Sequence, residues 1–421
     1  MQFINLSGNK NKILLLLGKI ISLFGTNIFN FALSYYILKI TGSPLSFGLS
    51  LIVTYLPRIF FSSIIGTLVD RINKRWMLAI SDFLSFFILS FFYFTVNLFG
   101  VKIEFIYITM FLLSTTSIFF NILFDSSLKE LISNNEIKEL YSLNETINSL
   151  TYILSPLIGG VIYYIVDIKI FIFINGISFL LSGISELFLR YNKIVSNLEK
   201  KKDKFFSELI LGFADIKNDK KILTLFLSFV LFNFFFNFGY LIPVPYIIIN
   251  LKGYSSVEFG ILRTFFSIGA LFGSIIVNKK KLKVEYPYKS TILMAFFLLV
   301  IGVITIVNIK AKILVFSLFL IDMFFFGLFM IISNIKLMIL FQDIIPDNKK
   351  GKILGVITMG GSILSPLAVY LSSSIIEKYA INFLPLISGM VLIVSVVIFM
   401  IKWEKIENRK ISELENENAM N

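Results

Sequence analysis

The sequence contains neither cysteine nor histidine. Without cysteine there is no disulfide, no thiolate nucleophile and no Cys-bearing metal site, and without histidine there is no imidazole proton relay. No phosphate-cradling G-x-x-x-x-G-K-[ST] loop is present. Lys349-Lys350-Gly351-Lys352 does not fit that pattern, so the chain itself hydrolyses no ATP. Charge is scarce: Asp, Glu, Lys and Arg make up 15% of 421 residues, where a soluble domain carries about 25%. The period-two alternation of a membrane β-barrel is missing as well. These absences point away from an enzyme, and no cofactor or metal is expected.

What fills the chain instead is apolar. Hydrophobic residues account for 57%, with 48 phenylalanines, and they fall into runs separated by short polar breaks. A helix rises about 1.5 Å per residue, so about twenty residues cross a hydrocarbon core of roughly 30 Å. In lipid each segment must satisfy its own backbone donors and acceptors, so the runs are helices. Twelve spans are expected, at 13–38, 45–69, 76–98, 103–128, 140–166, 170–189, 222–249, 255–278, 290–307, 313–341, 353–376 and 381–401. The first run is too long for a cleaved signal peptide and lacks a small-residue cleavage site, so it is read as a span. The expected class is an all-α membrane protein.

The net charge of +13 is a topology signal rather than a nucleic-acid footprint. Lysine clusters such as 200–202, 279–281 and 349–350 fall on alternate loops, and the intervening loops hold single lysines such as Lys102, Lys169 and Lys252. The positive-inside rule then puts both termini in the cytoplasm of a prokaryote, with the chain multi-pass in the inner membrane. The polar segment 190–221 divides the spans six and six. The expected organisation is an N-terminal bundle at 1–189, a cytoplasmic linker at 190–221, a C-terminal bundle at 222–402 and a tail at 403–421. Within the linker, residues 205–216 read either as an amphipathic surface helix or as solvated chain with some helix.

The two halves echo each other. Ile153-Leu154-Ser155-Pro156-Leu157 in span 5 recurs as Ile363-Leu364-Ser365-Pro366-Leu367 in span 11. Phe29-Asn30-Phe31 in span 1 recurs as Phe232-Asn233-Phe234 and as Phe236-Asn237-Phe238 in span 7, and Gly66 in span 2 has its counterpart in Gly273 of span 8. Each echo links one span to the sixth after it, and paired six-helix bundles are a common transporter plan.

Between spans 2 and 3, Gly66-Thr67-Leu68-Val69-Asp70-Arg71-Ile72-Asn73-Lys74-Arg75 resembles motif A of the major facilitator superfamily. Glycine there allows close helix approach, Asp70 suits the positive end of a helix, and Arg71 can pair with an acid. A plain basic loop would explain Lys74 and Arg75 but not Gly66 and Asp70. The second half lacks the motif, since Gly273 is followed by Asn278-Lys279-Lys280-Lys281 without an acid. In span 5, Ser155-Pro156-Leu157-Ile158-Gly159-Gly160 resembles motif C of the same superfamily, although Ser155 and Thr151 stand where glycines are usual. That motif is associated with drug–proton antiporters; the alternative is an ordinary Pro-kinked helix. Asp82, Leu143-Asn144-Glu145 and Gln342-Asp343-Ile344-Ile345-Pro346 with Gly351-Lys352 resemble the macrolide-efflux and enterobactin-exporter-like branch. The resemblance spans the chain. It implies the twelve-helix major facilitator fold, proton-coupled efflux of a hydrophobic or amphipathic small molecule, a role in multidrug resistance, and a monomer. The basic motif usual in span 4 of many drug antiporters is missing here.

Charges within spans are costly unless paired or hydrated. Asp82, Asp125, Glu145 and Glu186 lie near the cytoplasmic ends of their spans and are expected to partner Arg71, Lys74 and Arg75 in an inner gate; the alternative for these acids is proton coupling. Arg58, Arg263 and Asp322 lie deeper. Asp322 is the expected proton carrier; the alternative is a buried ion pair with Arg263 that only fixes packing. Asn27, Asn30, Asn121, Asn233 and Asn237 lie, by family resemblance, on cavity-lining spans. Asn27 and Asn30 share one helix face, as do Asn233 and Asn237, and they either bind substrate or tie helices together. Rival readings are a nutrient importer of the same fold, the membrane subunit of an ATP-driven pump, and a non-transporting scaffold.

Overall fold

A computed structural model describes residues 2–69, 74–131, 137–189, 205–279, 287–307, 311–346, 349–379 and 383–420. Every regular element among them is helical: α1 (Gln2–Thr41), α2 (Pro44–Val69), α3 (Lys74–Phe99), α4 (Ile103–Leu131), α5 (Ile137–Ile165), α6 (Ile168–Glu186), α7 (Phe205–Asn218), α8 (Lys220–Phe236), α9 (Pro243–Tyr246), α10 (Ser256–Lys279), α11 (Tyr288–Ile306), α12 (Lys312–Ile344), α13 (Lys350–Tyr379) and α14 (Leu384–Met420). Twelve candidate membrane spans are long and apolar enough to cross a bilayer, so the chain is a multi-pass membrane protein. Span 7 is broken. Pro243 and Pro245 cannot donate to the helix ladder, and π-helical turns at Asn237–Leu241 and Ile247–Leu251 flank α9. The final span continues as helix through the expected tail.

Helix ends follow local chemistry. Asp219 accepts from the amides of Lys221 and Ile222 at the start of α8, and Asp167 caps α6 through Lys169. Ser255 and Glu258 form a reciprocal capping box before α10: the Ser255 amide donates to Glu258 at 2.7 Å, and the Glu258 amide to Ser255 at 3.2 Å. Gly42, after α1, and Gly253, in the corresponding turn before α10, both have positive φ, near +63° and +66°, a conformation that glycine adopts without a Cβ penalty.

By its contacts the chain falls into two units, Met1–Glu199 with Ile249–Thr264, and Lys200–Ile248 with Phe265–Asn421. In the first unit α1 packs on α5 and α6, α3 on α4 and α6, and α2 on α4. One core cluster joins Phe29, Leu89, Phe92, Met110, Ile172 and Phe179; a second joins Leu15, Leu78, Phe120, Phe124 and Leu140. In the second unit α8 packs on α13 and α14, and α11 on α12 and α14. There α10 approaches α12 through Gly269, Gly273 and Gly327, whose missing Cβ atoms would strike backbone of the facing helix. Each pairing in one unit thus has its counterpart six spans later in the other. A buried hydroxyl pair repeats too: Ser85 meets Thr116 at 2.7 Å between α3 and α4, and Thr291 meets Ser333 at 3.0 Å between α11 and α12.

Apolar residues turn outward along the spans. Phe87, Phe91 and Phe94 of α3 are each at least 60% exposed, as a lipid-facing surface requires.

Candidate functional site

In the first unit the proline-bearing segment of α5 lies backbone to backbone against the first turns of α10. The Ser256 hydroxyl donates to the Gly160 carbonyl at 2.8 Å, and the Thr264 hydroxyl to the Ile153 carbonyl at 3.1 Å. A Cβ on Gly160 would collide with the Ser256 carbonyl, and one on Gly260 with the Pro156 carbonyl. Gly159 faces α1, where a Cβ would lie 2.9 Å from the Phe31 ring. Pro156 removes one intrahelical donor and perturbs the carbonyls of the preceding turn, and a threonine hydroxyl from α10 satisfies one of those carbonyls. Ser155 is 2% exposed, and its hydroxyl has no hydrogen-bond partner. The motif C-like residues therefore build a close helix–helix seam of small side chains.

Of the first unit's asparagines, Asn27 donates to its own helix at Leu23, 2.9 Å, and Asn30 keeps a buried carbonyl oxygen without a partner. Asn121 donates to Ser117 at 2.8 Å and accepts from Lys19 at 2.8 Å. Lys19 is the residue that sequence reasoning passed over. It is 2% exposed, its ammonium sits 4.4 Å from the centre of the Phe124 ring, and Asp125 and Glu145 act on it electrostatically. A lysine within the first hydrophobic run was the available signal. Arg58 is exposed, and Arg58, Arg263 and Tyr152 all lie within electrostatic reach of Tyr55.

The other acids of this unit sit differently. Asp82 is 1% exposed and accepts from Ser22 at 2.6 Å. Glu186 is fully buried with neither carboxylate oxygen hydrogen-bonded, and it adjoins Asp82 closely enough for the two charges to interact. Their expected gate partners are not on view. Asp70 and Arg71 lie outside the described residues, and Gly66, Lys74 and Arg75 fall where only the helix backbone is described.

In the second unit Asn237 donates to the Asn233 carbonyl at 2.6 Å and to the Ser365 hydroxyl at 3.1 Å, tying span 7 to the Ser-Pro repeat of α13. Asn233 donates to Phe229 at 2.9 Å. It also borders a cavity of ≈ 90 Å³ with Phe229, Phe232, Phe236, Met294 and Met330. Asp322 of α12 is 2% exposed, and both its oxygens are buried without a hydrogen-bond partner. One turn along α12, Phe326 stacks on Tyr240 at 4.7 Å between ring centres and on Phe236 at 6.0 Å.

Outside the spans, α7 is a formed helix that packs on α13. A Cβ on Gly212 would lie 2.7 Å from the Val356 side chain, and Asp215 accepts from Lys349 at 2.6 Å and pairs with Lys352. Hydrogen bonds from Lys349 and Lys352 hold the Asp215 carboxyl below its ordinary value. Ile210, Leu211 and Phe213 of the same helix are exposed.

A family model described as the Major Facilitator Superfamily matches residues 15–369. Macrolide efflux protein A of Streptococcus pyogenes is 21% identical over 383 residues, which cover 89% of this chain and 92% of its own. Macrolide efflux protein A of Enterococcus faecalis is 21% identical over 241 residues, 56% of this chain and 73% of its own. Among solved structures, a bacterial homologue of the iron transporter ferroportin, in an inward-facing state, aligns with a TM-score of 0.72 at 14% identity, over 93% of this chain and 98% of its own. A D-xylose–proton symporter aligns with a TM-score of 0.66 at 13% identity, over 93% and 96%. Both structural likenesses are likenesses of fold.

Proposed function

The chain belongs to the Major Facilitator Superfamily, and from that membership we propose that it exports a hydrophobic or amphipathic small molecule, macrolide-like in class, against an influx of protons. It does so by alternating access, as a monomer in a prokaryotic cytoplasmic membrane with both termini inside. One observation carries the proton-coupled part: Asp322 is buried in a membrane span without a partner. An ionised carboxylate in that position is costly, whereas a protonated one is tolerable. The side chain can therefore hold a proton in a closed state and release it when the span becomes hydrated.

The direction and the substrate class rest on the sequence relatives, because the fold is shared with a proton symporter. The cavity beside Asn233 is apolar and aromatic apart from a few polar groups, and at ≈ 90 Å³ it suits one apolar substituent of a larger molecule. Asn27, Asn30, Arg58, Asn121, Asn237 and Arg263 are the remaining candidates for the substrate path. Gly66, Asp70, Arg71, Lys74 and Arg75 form the proposed gate, with Asp125 and Glu145 among its acids. Macrolide accumulation in expressing cells tests the reading. Accumulation should be low in energised cells and should rise when an uncoupler is added, and Asp322→Asn should remove that difference while the protein still reaches the membrane. Accumulation that ignores the uncoupler would remove proton coupling, and unaltered export by Asp322→Asn would remove the assignment of Asp322.

A further inference from the structure

A polar line runs through the apolar interior of the first unit, along the seam of α1, α3 and α6. On α6, Asn175, Ser182 and Glu186 recur at helical spacing on one buried face. On α1 the facing positions are Gly18, Ser22 and Gly25. A Cβ at Gly18 would lie 2.8 Å from a Glu186 carboxylate oxygen and 3.4 Å from the Ser182 hydroxyl; one at Gly25 would lie 2.8 Å from the Asn175 side-chain oxygen. The glycines of α1 thus make the room that the polar groups of α6 occupy. Asp82 enters from α3 and takes the Ser22 hydroxyl at 2.6 Å. Around it, one Asp82 oxygen, both Glu186 oxygens and the Asn175 amide nitrogen are buried without partners.

We propose that Asp82 and Glu186 form a proton-binding site distinct from Asp322, in which the two carboxyl groups hold one proton between them. Two adjoining carboxylates this deeply buried cannot both remain charged, because each loses its hydration and repels the other. Among the described residues, the usual remedy of a nearby cation is directed elsewhere. The described charged groups on the elements packed against the pair are Lys19 and Lys39 of α1, Glu104 and Asp125 of α4, Glu145 of α5 and Lys169 of α6; Lys39, Glu104 and Lys169 are exposed at helix ends. Lys19 bonds Asn121, and it is Asp125 and Glu145 that act on it. Ser182 stands beside Asp82 and donates to the Gly18 carbonyl at 3.4 Å, so its hydroxyl leaves Glu186 without a hydrogen bond. A purely structural role would be served better by an apolar pair of equal volume. A seam whose glycines leave room for buried polar groups, three of them carboxyl oxygens without partners, is instead built to bind and release a proton. Any use of this site in transport rests on the proton-coupled reading; the presence of the proton does not.

The test is infrared difference spectroscopy of the full-length protein in lipid nanodiscs, titrated from neutral to alkaline pH and read at the carboxylic-acid C=O stretch. The wild type should lose a protonated-carboxyl band as pH rises. Glu186→Gln and Asp82→Asn should each shift the titration of the remaining acid to lower pH by removing its like-charged neighbour, and the double variant, made in the Asp322→Asn background, should lack the band. A wild-type band in the double variant would overturn the proposal. Because a substituted seam can fail to fold, the Asp322→Asn protein, whose seam is intact, is read in parallel. Persistence of the band there supports the pair, and its disappearance assigns the proton to Asp322 and defeats the inference. The infrared band and uncoupler-sensitive macrolide export report independently, so failure of the site and failure of the coupling reading are distinguishable.

Discussion

At the scale of single residues, the interior of the first unit depends on where a few polar groups aim. Lys19 satisfies the Asn121 oxygen and lays its charge over Phe124. Lys19→Met keeps the length and removes the donor, leaving a largely buried carbonyl oxygen unsatisfied at a cost of about 1–3 kcal/mol. Thermal unfolding of the purified protein should show a lower midpoint for this variant, and an unchanged midpoint would mean that the contact contributes nothing. The depth of Asp322 was legible in the sequence, because its position along an apolar run gives depth directly. Its isolation was not, and neither were the aim of Lys19 or the meeting of Asp82 with Glu186. A helix's heading relative to its neighbours decides those, and hydropathy along one chain carries no such information.

At the scale of elements, two packing features lead to predictions. Gly160 allows α5 to touch the first turns of α10 through backbone, and no side chain fits there. Gly160→Leu should leave the protein inserted in the membrane but reduce macrolide export at least tenfold, as an export assay normalised to surface-labelled protein would show; wild-type export would show the close approach to be dispensable. The second feature is the contact of α7 with α13. The folded-state value of Asp215 is depressed by Lys349 and Lys352, so the contact is fully present above the ordinary carboxylate range. It should weaken only when pH falls through the lower, folded value. Hydrogen exchange of the α7 amides should stay protected, relative to Asp215→Asn, as pH drops through the ordinary range. Equal protection in the two proteins would contradict the ion-pair account.

The elements were unevenly legible in advance. Runs of apolar residues located all twelve spans, since helix length and lipid thickness are directly linked. The π turns around Pro243 and Pro245 stayed hidden, because a run that remains apolar reads as one helix whatever its backbone does. The packing of α7 likewise depends on Gly212 and Asp215 finding partners more than a hundred residues away.

At the scale of the whole molecule, the echoed Ser155-Pro156 and Ser365-Pro366 are the visible remainder of a deeper correspondence. Each unit repeats the other's helix pairings and its hydroxyl contact. Short sequence echoes were enough to indicate duplication, whereas the pairings required coordinates. In the proposed mechanism such a duplicated frame works by exchanging protons for substrate, and everted membrane vesicles measure that exchange most directly. With an acid interior imposed, vesicles containing the protein should accumulate a radiolabelled macrolide and release it when an ionophore collapses the pH difference. Accumulation that survives the collapse, or that requires an alkaline interior instead, would contradict proton-driven export.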